Sequence, residues 1–252
     1  ASKVGGAERV AAFVELQPQA LLWRAETTVA ELLRERQLPE RAIRAVARFP
    51  AVGRLETSQR IDGLFDYFEE CVGLSHTDLG TLVAGYPQVL GLCVEANVAP
   101  TVDYLASLGA DVRRLCKQQP QLLGLSLDAN IRPTVEYLER LGIDVRRVVR
   151  VHPAALGLSV RDKIEPLIAY LAEEGMREVP RVLSRQPAVL SLSIESNLRP
   201  KLYYLRSIGM GDVGRQLDAN PGLLTISLDA NIRPTVEVLT AAGLVASNKP
   251  PL

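Results

Sequence analysis

The sequence predicts an all-α solenoid of stacked helix pairs, and three evenly spaced residue series predict it. Pro87, Pro120, Pro153, Pro187 and Pro221 recur at intervals of 33, 33, 34 and 34 residues, and each opens a similar apolar string such as PQVLGLC, PAALGLS or PGLLTIS. A second series, Pro100, Pro133, Pro166, Pro200 and Pro234, keeps the same intervals. Gly109, Gly142, Gly175, Gly209 and Gly243 each follow a second-series proline by nine residues. Periods of this length mark repeat architectures, in which one unit cannot bury its apolar face alone and stacked neighbours share a continuous core.

Proline near its start and glycine just past its end punctuate a helix, so a first helix is predicted from each second-series proline to its glycine, as in PTVEYLERLG. After the glycine, stretches such as IDVRRVVRVHP place Val145, Val148 and Val149 on one helical face and predict a second, amphipathic helix. The proline-led apolar string then reads as a short 3₁₀ connector. Backwards the pattern degrades, with Pro50 and Pro18 at intervals of 37 and 32. The expected organisation is therefore a single array: degenerate units over 1–78, clear repeats over 79–243 and a short tail over 244–252. The last first helix, Pro234 to Gly243, is followed by VASNKPPL rather than a second helix, so the array is expected to be truncated or capped there.

A chain that is 47% hydrophobic and 23% charged folds, and no apolar run approaches the ~20 residues of a membrane-spanning helix. Lys and Arg together number 29, as do Asp and Glu, so no global field draws the molecule to a polyanion. A nucleic-acid surface would have to arise from where the charges lie. Cys71, Cys93 and Cys116 are isolated and odd in number, which argues against a disulfide framework and fits a reducing compartment. The opening ASKVGGAERVAAF has neither a signal-peptide core nor an Arg/Ser-rich transit segment, so any targeting peptide is expected to be absent from this form. His76 and His152 have no cysteine or carboxylate neighbours at metal-ligand spacing, and the connector glycines lack the preceding strand and following Lys-Ser/Thr of a phosphate loop. The expectation is a protein with no catalytic site, no cofactor and no metal.

Binding residues are suggested by phase. Six positions before each connector proline stand Arg44, Thr81, Arg114, Arg147, Arg181 and Arg215, on the polar face of the second helix. Stacking turns that phase into an arginine ladder. Arg48, Arg113, Lys117, Arg146, Arg150 and Arg185 add to the same face, and DNA offers such a row a phosphate every few ångström. Acids gather elsewhere, on the first helices, as Asp103, Glu136, Glu139 and Glu237. Basic residues toward a helix C-terminus also favour the helix dipole, which accounts for Lys117 and Arg150 better than for the ladder. A second row, Arg132, Arg199 and Arg233, directly precedes the first-helix prolines, interrupted by Ala99 and Glu165. Residues before proline are pushed from helical geometry, so these could equally extend from the connector into solvent. Tyr104, Tyr137, Tyr170 and Tyr204 share one phase within the apolar stripe of the first helix and are predicted to pack in the core rather than stack on bases.

The order of first helix, L-G or I-G, Asp-Val, second helix, P-x-L-L-G/S and N-x-x-P-x-x-x-Y-L resembles the mTERF family of mitochondrial transcription termination factors. The resemblance is strongest from Leu79 to Gly243, in strings such as LCKQQPQLLGLSLDANIRPTVEYLERLG. It implies a left-handed superhelix of helix pairs with a basic groove, and it points to a plant or algal organellar member. It further implies binding of double-stranded DNA, a role in terminating or regulating transcription, and location in the mitochondrion or alternatively the chloroplast. RNA binding in splicing or ribosome assembly is the nearest alternative, and a protein-binding scaffold the next. The protein is expected to act as a monomer, off the membrane, through phosphate contacts.

Overall fold

The protein is described by a computed structural model over residues 29–49 and 58–242, which form fourteen α-helices and no β-strand. Pro18, Pro50, Gly243 and the tail at 244–252 lie outside the described residues. The chain divides into two compact units between Val94 and Glu95. Among the described residues no helix is long and apolar enough to cross a membrane.

The first unit holds α1 (Val29–Glu35), α2 (Glu40–Ala47), α3 (Ser58–Asp66) and α4 (His76–Gly85), and closes with a 3₁₀ turn, Pro87–Gly91. Its core is Leu33, Ile61, Leu64, Phe65, Phe68, Leu79 and Leu82, all buried. Helix α4 starts at a reciprocal cap: Ser75 Oγ accepts from the Asp78 N–H, and the Asp78 carboxylate accepts from the Ser75 N–H. Arg60 ties α3 to the closing turn by donating to the Gly91 carbonyl at 2.5 Å.

The second unit carries the clear repeats. First helices are α5 (Ala99–Ser107), α7 (Arg132–Arg140), α9 (Glu165–Glu173), α11 (Arg199–Ser207) and α14 (Arg233–Ala241). Second helices are the seven-residue α6 (Val112–Gln118), α8 (Val145–Val151), α10 (Val179–Arg185) and α12 (Val213–Ala219). The connectors Pro120–Gly124, Pro153–Gly157 and Pro187–Ser191 are 3₁₀ turns as expected, whereas the one after Pro221 winds as a short α-helix, α13 (Gly222–Thr225). Successive connectors pack on one another, as do the second helices α8 and α10, which gives the helical-repeat solenoid.

Each turn between the paired helices is closed by glycine at positive φ, for example +74° at Gly142. The next residue's N–H reaches back to the helix, as Ile143 does to the Leu138 carbonyl at 3.0 Å, a Schellman closure that consumes otherwise orphaned acceptors. The 34-residue units carry their extra residue just after this glycine. In the turn after Gly175 the surplus amides of Arg177 and Glu178 both donate to the Asp218 carboxylate of the next second helix, at 2.8 and 3.2 Å.

One feature at the start of the first helices was not expected. The first helices begin one residue before their prolines, as expected, but each is preceded by a turn capped at Ser126, Ser159, Ser193 or Ser227, whose hydroxyl accepts from the backbone N–H three residues on. A wide π-type turn of five residues, such as Leu127–Ile131, then runs unbroken into the α-helix. Proline inside a helix removes one N–H and presses its ring on the carbonyl four residues back. The wide turn relieves this by shifting bonds to i−5, as from Ile131 N to Ser126 O at 3.3 Å.

Tyr170 and Tyr204 are buried as predicted, each 8% exposed, while Tyr104 and Tyr137 are only half-buried. Burial, with the neighbouring Glu174 carboxylate, pushes the Tyr170 hydroxyl up to about 12, so it stays protonated. Tyr170→Ala is expected to lower stability by about 3–5 kcal/mol in a denaturant titration, and Tyr137→Ala by less. Equal losses would show that exposure does not rank these sites.

Candidate nucleic-acid interface

The ladder arginines of the second unit share one local setting. Arg114, Arg147, Arg181 and Arg215 are each the third residue of a second helix. Three have their backbone N–H held at 3.0 Å by the capping aspartate, Asp111, Asp144 or Asp212. This fixes the phase at which the side chain leaves the helix. The first turn is the positive end of the helix dipole, where a cation is disfavoured by a few tenths of a kcal/mol. The dipole therefore does not explain the row. In α10, Glu178 stands at the cap without accepting a backbone bond and pairs instead with Arg181 at 2.5 Å.

Between α8 and α10 lies an open groove of about 560 Å³, lined by Arg147, Glu178, Arg181, Ser184 and Arg185. Ser184 helps set its floor by accepting the Asp144 N–H at 2.9 Å. A second groove of about 550 Å³ shares Arg147 and Arg185 and runs along Gln186, Asn220 and the connector from Pro221 to Ile226. Arg147 Nη2 donates to the Arg185 carbonyl at 3.4 Å, so its guanidinium crosses from one repeat to the next. A smaller concavity between α6 and α8 takes in Arg114, Gln118 and Arg150.

The remaining predicted cations are all exposed, but they differ in what they touch. Arg113, Lys117, Arg146, Arg150, Arg185 and Arg215 present on the second helices. Arg114 Nε donates to Gln118 at 3.0 Å and Arg150 Nε to the Arg146 carbonyl at 3.3 Å. The guanidinium groups of Arg146, Arg185 and Arg215 have no carboxylate partner among the described residues. In the first unit Arg44 lies 3.8 Å from Glu40, Arg48 is exposed beside it, and Thr81 accepts a hydrogen bond from Arg41 at 2.7 Å.

The second row has a different environment. Arg132, Arg199 and Arg233 are helical, with φ near −59°, −55° and −58°, despite preceding proline. The wide turn admits the proline without forcing the residue before it into an extended shape. Being helical, each can reach a carboxylate four residues back: Arg132 to Asp128 at 3.0 Å, Arg199 to Glu195 at 2.9 Å, Arg233 to Asp229 at 2.9 Å. Each also covers the ring of a tyrosine one repeat earlier, Tyr104 at 4.4 Å, Tyr170 at 5.5 Å and Tyr204 at 4.5 Å. Where Glu165 interrupts the row, Tyr137 is met instead by Arg140 of its own helix at 5.7 Å. These arginines clasp neighbouring repeats, and the tyrosine faces they cover are not open to a base.

Sequence reasoning passed over Gln186 and Asn220, which line the second groove. The available signal was positional, since the residue directly before each connector proline is Tyr86, Gln119, His152, Gln186 or Asn220.

Stacked helix pairs with proline connectors, glycine turns and a basic second-helix face define a helical-repeat binding protein. The mTERF family profile matches residues 4–252, and the chain belongs to the mTERF family. That membership carries nucleic-acid binding and a part in organellar gene expression. Among curated proteins, none matches the chain.

Proposed function

We propose that the protein binds double-stranded DNA along the second-helix face of its repeats and, so bound, terminates or regulates transcription in the mitochondrion. The observation that carries this reading is the convergence of Arg147, Arg181 and Arg185 on one groove between consecutive second helices. Guanidinium groups at repeat spacing suit a phosphate backbone, because each offers a planar fork of donors to phosphate oxygens. Equal numbers of acidic and basic residues are no obstacle, since affinity follows the local row rather than net charge. The protein acts as a monomer, holding DNA and performing no chemistry on it.

A salt titration against duplex DNA, duplex RNA and single strands tests this. Duplex DNA is expected to bind tightest, with log affinity falling against log salt by about 0.9 per neutralised phosphate. A flat, weak response to all three would overturn the reading. Tighter binding to RNA would move the role to splicing or ribosome assembly.

A further inference from the structure

The groove of about 550 Å³ holds chemistry that phosphate binding does not need. Beside Arg147 and Arg185 stand two primary amides, Gln186 and Asn220, and the apolar edge of the Pro221–Ile226 connector. The amides occupy equivalent places in consecutive repeats, each the last residue before a connector proline. Their backbones match, with φ and ψ of −129° and 71° at Gln186 and −127° and 68° at Asn220.

Backbone bonds hold both residues in place. Gln186 N–H donates to the Val182 carbonyl at 2.8 Å and its own carbonyl accepts from Val189 at 3.1 Å; Asn220 does the same with Gln216 at 2.8 Å and Leu223 at 3.1 Å. Their side-chain amides have no hydrogen-bond partner among the described residues. At the equivalent place one repeat earlier, His152 has its Nε2 2.6 Å from Ser191 Oγ and is already engaged. A carboxamide sets a donor beside an acceptor, which complements the N6 and N7 edge of adenine in the major groove, whereas a guanidinium suits phosphate or guanine. The same groove offers Ile226, 39% exposed, as an apolar surface of the kind that meets the thymine methyl of an A·T pair.

The geometry points to Gln186 and Asn220 as base-reading residues that give the site a preference for adenine at two positions, while Arg147 and Arg185 anchor the adjoining phosphates. This rests on the DNA-binding reading above and adds specificity to it.

Selection from a randomised duplex DNA library, followed by titration of the selected and scrambled duplexes, tests the assignment on the whole 252-residue chain. The wild type should enrich A·T pairs at two positions. The Gln186→Ala/Asn220→Ala variant should keep its affinity for scrambled duplex within about twofold and its salt slope, while discrimination falls on the order of tenfold for each amide lost. Gln186→Arg, with circular dichroism confirming the fold, should change the preferred base at one position from adenine to guanine. An alanine variant that selects the same sequence with undiminished discrimination overturns the assignment, as does a wild type that binds all duplexes equally. A wild type that binds no duplex overturns the DNA-binding reading itself, so the two failures are separable.

Discussion

Replacing Arg147, Arg181 and Arg185 together with alanine is expected to weaken duplex DNA binding by about two to three orders of magnitude at about 0.1 M salt, with helical content unchanged. The magnitude follows from counterion release: from 1 M to 0.1 M salt each phosphate contact contributes about 0.9 decade of affinity, so three contribute roughly 500-fold. The salt slope should shallow by about 2.7 in the same variant. All three side chains are exposed and line one groove, so their removal leaves the core intact. The informative control is Arg132→Ala/Arg199→Ala/Arg233→Ala, which removes the same charge. Those guanidinium groups face carboxylates, as Arg181 faces Glu178, but each also lies over a tyrosine ring of the preceding repeat and lines none of the grooves described above. Their loss should lower stability and leave the salt slope nearly unchanged. Equal effects on binding from the two triples would show that total charge, not the groove, drives association, and the interface would have to be redrawn.

The two triples also show what the sequence made legible. Periodicity exposed the second-helix arginines because a residue at constant phase in a repeat points the same way in every unit, and Arg147 and Arg181 do line one groove. The glycine turns were legible for a similar reason: only a residue free to take φ between +74° and +91° closes them at Gly109, Gly142, Gly175 and Gly209. The turn that runs into each first helix was hidden by proline, which marks the α-helix start correctly but reads as the limit of helical structure. The capping signal was present all along, as Ser126, Ser159, Ser193 and Ser227. Once the helix is extended back to them, Asp128 and Arg132 become an i,i+4 pair rather than a connector acid and a free arginine. Contacts between repeats lay further out of reach, because no sequence spacing reports that Arg233 covers Tyr204 or that Lys201, 1% exposed, donates to the Leu224 carbonyl at 2.5 Å.

Gly214→Ala is expected to be among the most destabilising small substitutions in the second unit, by about 3 kcal/mol, the upper end of overpacking costs. In sequence Gly214 looks like a weak point of a helix, where alanine would ordinarily help by about 1 kcal/mol. The other repeats reinforce that impression, carrying Arg113, Arg146 and Pro180 at the same phase. In the structure α12 presses directly on the preceding turn. A Cβ at Gly214 would overlap the Gly175 carbonyl group and the Met176 nitrogen, all backbone atoms that cannot rotate aside. Nor can the turn retreat easily. Gly175 has φ of +91°, and Asp218 of the same helix holds the two amides of Arg177 and Glu178. Gly211→Ala provides the contrast, since a Cβ there meets nothing within 4 Å; it should stay within about 0.5 kcal/mol of wild type. For a domain of this size, 3 kcal/mol corresponds to a fall in melting temperature of roughly 6–12 °C. If Gly214→Ala instead melts at or above the wild-type temperature, helix propensity outweighs the close approach, and α12 does not press on the Gly175 turn.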